Sequence, residues 1–105
     1  MSKIPVAHET FTSANILSVT VGTNCPAGGD TGHGGRTIFR INNEAGTDLR
    51  ISIDGGSFQD VNSFEIVLGG DTECATFIDA LEFALKTLKT QIAANSIVRD
   101  EVIIE

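Results

Sequence analysis

Between Cys25 and Thr37 the chain reads C-P-A-G-G-D-T-G-H-G-G-R-T, the stretch richest in groups able to do chemistry. Five of its thirteen residues are glycine. Glycine loses more conformational freedom on ordering than any other residue, so such a stretch either stays mobile or uses its bare backbone to hold something. It reads as a ligand loop. The amides of Gly28, Gly29, Gly34 and Gly35 can converge on an anion. Arg36 and Arg40, or Arg50 further on, can supply the planar charge-assisted clamp that a phosphate takes. Asp30 is awkward beside a bare phosphate and suits a ribose hydroxyl or a base edge. Thr31 and His33 add hydrogen-bonding groups, His33 toward a ligand or the loop backbone.

Other chemistries fit less well. There is no G-x-x-x-x-G-K-[ST] motif, and the glycine stretch runs strand to strand, whereas dinucleotide loops run strand to helix. A flexible hairpin loop is the plain alternative. Cys25, Asp30 and His33, joined by His8 or Cys74, have the ligand types for a metal but not the spacing of a zinc ribbon or finger, and no metal or other cofactor is expected. Cys25 with His33, or Asp30 with His33, has the types for nucleophilic or acid–base catalysis without an oxyanion hole or a helix-borne nucleophile. No catalytic residue is assigned and the chain is not expected to be an enzyme.

With 105 residues the chain suffices for one domain, residues 1 to 105, and its 41% hydrophobic content excludes a disordered one. A net charge of −7 repels long nucleic acids and anionic membranes, so an anionic ligand has to be small and locally clamped. The fourteen acidic residues are scattered, which argues against imitation of a DNA duplex and for simple solubility. Neither a signal-peptide core nor an 18-residue apolar run is present, and a soluble cytoplasmic protein is expected. There Cys25 and Cys74 should be reduced thiols with no disulfide between them.

The elements that must position the loop follow from periodicity. Residues 1–14 read as an arm with little pattern. Asn15–Val21 is expected as a strand with Leu17, Val19 and Val21 on one face, and Arg36–Ile41 as a second with Thr37, Phe39 and Ile41 opposite Ile38 and Arg40. Asn42–Thr47 supplies turn residues. Asp48–Ile53 alternates as a third strand expected to pair with the second, Asp54-Gly55-Gly56 signals a turn, and Phe64–Leu68 makes a further strand. From Thr72 to Ala94, apolar residues recur every three or four positions, so an amphipathic helix is predicted, opened by Asp71 or Thr72 as cap. The tail 96–105 reads as an edge strand or an oligomerisation arm. The fold class is therefore α+β: an antiparallel sheet of four to five strands covered on one face by one long helix, with a homo-oligomer expected to bury the other face. Gly28-Gly29-Asp30-Thr31 and Gly69-Gly70-Asp71-Thr72 are identical tetrapeptides, taken as coincidence because their surroundings do not match.

The glycine loop, the following I-F-R-I and the closing E-I-V-L-G-G-D-T-E-C-A-T-F-I-D-A-L-E-F-A-L together resemble small phage proteins that sequester nucleotide immune signals, closest to the first-described Thoeris anti-defence sponge family. The resemblance covers about residues 15–105. It implies a symmetric oligomer in the host cytoplasm that binds cyclic ADP-ribose isomers, and sometimes cyclic oligonucleotides, without cleaving them. Arg99 and Asp100 look like an Arg-Asp pair used in that family's ligand pocket. On this reading Arg36 and Arg99 meet phosphates, and Asp30 or Asp100 meets a ribose hydroxyl or base edge. With no Trp or Tyr, base stacking falls to Phe39, Phe77, Phe83 or an arginine plane. A small nucleotide hydrolase and a protein-interaction or assembly module are the alternatives from other classes.

Overall fold

β-Branched runs in the first half and an unbroken series without glycine or proline in the second set the architecture. A computed structural model describes residues 3–13, 15–25 and 35–94. Six strands precede one helix: β1 (Val6–Thr12), β2 (Ile16–Thr23), β3 (Arg36–Ala45), β4 (Arg50–Ile51), β5 (Gln59–Asp60), β6 (Ser63–Gly69) and α1 (Asp71–Ala94). The α+β class is as expected. By contact density the chain divides into Met1–Cys74 and Ala75–Glu105.

The main sheet is antiparallel throughout, in the order β1-β2-β3-β6. Directly opposed residues of antiparallel strands share a face. The register therefore gathers Val19, Ile41 and Phe64 in one row and Val21, Phe39 and Ile66 in the next, all on one face. The other face carries Thr10, Ser18 and Asn42, then His8, Thr20, Arg40 and Glu65. The expected faces of β2 and β3 are those observed. Burial runs against their polarity, however. Ser18, Thr20 and Thr37 are buried, while Val21 and Ile66 remain 36% and 39% exposed. Hydrogen bonds make the polar burial tolerable. Ser18 donates to Glu44 Oε2 at 2.7 Å and shares a 3.0 Å bond with Thr10, and His8 Nδ1 lies 2.8 Å from the Thr20 hydroxyl.

Three expectations need correction. Residues 6–12 are not an unpatterned arm but strand β1, whose side chains are exposed throughout, so backbone pairing with β2 rather than an apolar stripe holds it in place. The 42–47 turn is shorter than read, since β3 continues through Ala45 and turns at Gly46, whose φ of 78° favours glycine. Residues 48–53 do not pair with β3. Only Arg50–Ile51 is strand, and it pairs with β5 in a separate two-stranded sheet. The Asp54-Gly55 turn is present, with positive φ at both residues and a 2.9 Å bond from Gly56 N–H to the Ile53 carbonyl, the pattern of a type I′ turn.

The helix starts one residue before the expected Thr72. Its cap is Gly70, whose carbonyl accepts the first helical bond, from Cys74 N–H at 3.3 Å; neither Asp71 nor Thr72 takes that role. Asp71 and Glu73 in the first turn suit the helix dipole. Along α1 itself the apolar residues Ile78, Leu81, Leu85, Leu88 and Ile92 line one stripe and are 39 to 82% exposed.

Candidate functional site: the foot of the glycine segment

The two central strands, β2 and β3, enter and leave the glycine segment, and a compact set of hydrogen bonds ties its two ends together. Asn24 N–H donates to the Arg36 carbonyl at 3.1 Å, and Arg36 N–H returns a 2.7 Å bond to Asn24 Oδ1. Thr23 Oγ1 also donates to the Arg36 carbonyl, accepts from Cys25 N–H at 3.1 Å, and lies 2.9 Å from the Thr37 hydroxyl. A third element joins them where Gly70 N–H donates to the Gly35 carbonyl at 2.8 Å. The Gly69-Gly70-Asp71-Thr72 tetrapeptide thus docks at the base of the segment that carries its twin. Of that twin, Gly28, Gly29, Asp30 and Thr31 lie outside the described residues.

Gly35 has no room for a side chain. A Cβ there would collide with Cys25 Sγ and stand 2.6 Å from Asp71 Oδ1. Arg36 folds its Nη1 back to the Gly35 carbonyl at 2.8 Å and passes over Gly69, where a Cβ would sit 3.4 Å from it. Residues 36, 38 and 40 share a face of β3, so Arg36 and Arg40 stand on one face with Ile38 between them. Arg40 is paired there with Glu65, Nε donating to Oε2 at 2.6 Å. Arg50, in β4, forks onto Asp48 with bonds of 3.1 and 3.0 Å, which holds the Asp48 carboxyl below its ordinary range.

Of the residues picked from sequence, the structure therefore brings together Gly35 and Arg36, with Arg40 further along the same strand. His33, Gly34, Arg99 and Asp100 also lie outside the described residues, as does the proposed role of the tail. Sequence reasoning passed over Thr23 and Asn24; Thr37, read as a side chain able to bind or polarise a ligand, and Gly70, read at the helix start, make the foot with them. One signal was present: threonines at the loop-side end of two β-branched strands, where either can turn a hydroxyl to its neighbour.

The cysteines, read from sequence as two unlinked thiols, both lie beside the foot. Cys25 Sγ lies 3.7 Å from the Gly70 carbonyl and 4.0 Å from Thr37 Oγ1, and Cys74 Sγ lies 3.7 Å from Thr23 Oγ1. Both sulfurs thus lie against the same linked pair of hydroxyls, Thr23 and Thr37. Hydrogen bonding with the Thr37 and Thr23 hydroxyls draws the Cys74 thiol below its ordinary pKa, against the opposing effect of burial. Among the described residues no three His, Cys, Asp or Glu side chains converge as metal ligands, and no helix is long and apolar enough to cross a membrane. No family model matches this chain, and neither does any curated protein or solved structure.

Proposed function

We propose that this protein binds a small cyclic nucleotide signal, a cyclic ADP-ribose isomer or a cyclic oligonucleotide, and sequesters it without cleavage. The observation that carries this reading is the clamped foot: both ends of a glycine-rich segment are fixed by backbone and threonine hydrogen bonds, with Arg36 at the exit. A fixed foot lowers the entropy lost when the segment closes on a ligand. Phosphates would meet Arg36 and glycine amides, and Asp30 a ribose hydroxyl or base edge.

The test is to incubate the purified chain with a panel of cyclic ADP-ribose isomers and cyclic di- and trinucleotides, remove free ligand, denature, and identify what is released by mass spectrometry. Intact ligand at a fixed ratio to protein is expected. A chemically altered product would make the protein an enzyme, and an empty protein would turn attention to a macromolecular partner. Arg36→Ala should weaken binding by about 1.5–3 kcal/mol, the scale of a charged hydrogen bond, as read by titration calorimetry. Unchanged affinity would move the site away from the segment.

The same reading includes a homo-oligomer, and α1 supports one. Ile78, Leu81, Leu85, Leu88 and Ile92 follow one another at intervals of three, four, three and four, the a/d seam of a helix pair, and all are exposed. Asp79 and Glu82 precede the middle of this seam, while Lys86 and Lys89 follow it. Only an antiparallel pairing of two copies sets acids against lysines, twice by symmetry.

A further inference from the structure

We infer that Cys25 and Cys74 are a dithiol site that closes to an intramolecular disulfide when the protein meets a disulfide oxidant of the glutathione class. The argument does not depend on what the glycine segment binds. The fold brings together two thiols that are 49 positions apart in sequence, around shared partners: the Gly70 carbonyl accepts from both Cys25 Sγ and Cys74 N–H, and the linked Thr23 and Thr37 hydroxyls lie 3.7 Å from Cys74 Sγ and 4.0 Å from Cys25 Sγ, respectively. Both thiols are free.

Their environments divide the work. Cys25 is half-buried and reachable, whereas Cys74 is only 7% exposed. Cys25 thiolate attacks one sulfur of oxidised glutathione, forming a mixed disulfide and releasing one glutathione thiolate. Cys74 then loses its proton to solvent and attacks Cys25 Sγ, expelling the second glutathione. Two protein thiols are oxidised, one glutathione disulfide is reduced to two thiols, and two protons leave the protein. Cys74 suits the second step because hydroxyls already support its thiolate while burial keeps bulky oxidants from it. The bond would fasten the entry of the glycine segment to the first turn of α1. The reduced cytoplasmic state expected from sequence is the other half of the same couple.

The test uses the full native chain, reduced, freed of reductant and treated with oxidised glutathione, followed by intact mass, thiol count and peptide mapping. The expected result is loss of both thiols and of two hydrogens, no retained glutathione, and a Cys25–Cys74 cross-link within one chain. Cys74→Ser should trap glutathione on Cys25, and Cys25→Ser should stay unreacted until denatured. A wild-type chain that keeps glutathione on Cys25, keeps both thiols, or links only to a second chain would overturn the inference. Because the wild-type protein alone decides it, a variant that fails to fold does not blunt the test.

Discussion

Gly35 shows how a residue chosen for ligand chemistry can be required by packing first. Cys25 Sγ and Asp71 Oδ1 occupy the space a methyl group would need, so Gly35→Ala should destabilise the fold by about 1–3 kcal/mol in a urea titration, the usual penalty of overpacking. A wild-type midpoint would mean that strand β3 and the helix start can separate without loss. Cys74 makes a different prediction, about pH. Its thiol pKa is drawn below the ordinary value of 9.0 in the folded chain, so between those two values the unfolded chain holds more protons and stability rises with pH. The contribution is complete above the ordinary value and lost as pH falls through the folded one. Cys74→Ser should flatten that alkaline rise in denaturant midpoints measured across the window.

At the scale of elements, α1 and β1 mark the limits of what periodicity can tell. The helix was legible to within a residue because a 24-residue run without glycine or proline repeats its apolar positions at helical spacing. Strand β1 was not, since V-A-H-E-T-F-T buries no face and its order comes from pairing with β2. The 48–53 stretch alternates well yet pairs with β5, because alternation fixes faces and not partners. Likewise Gly35, Arg36, Thr37 and Cys25 stood out by type, whereas their links to Thr23, Asn24 and Gly70 form only where β2, β3 and the start of α1 meet. If the α1 seam pairs two copies, Leu85→Glu should remove about 1.5–3 kcal/mol of buried apolar contact per helix and leave a monomer by sedimentation. Glu82→Lys should weaken the pair, and adding Lys89→Glu should restore it. Monomeric wild-type protein at all concentrations would refute the pairing.

For the whole molecule, the proposed binding would join the −7 charge to the clamped foot: the charge repels long polyanions, and a small anion would be held locally at Arg36. Closing the dithiol would bridge a loop of about 50 residues and raise stability by up to about 4 kcal/mol in the chain-entropy account, checked by comparing melting of oxidised and reduced protein. The foot has one more implication. Among the described residues its hydrogen bonds are made by Thr23, Asn24, Cys25, Gly35, Arg36, Thr37 and Gly70. They fasten the two central strands and the residue that opens α1 at one point, so a pull on Arg36 would be felt at the helix start as well as in the sheet.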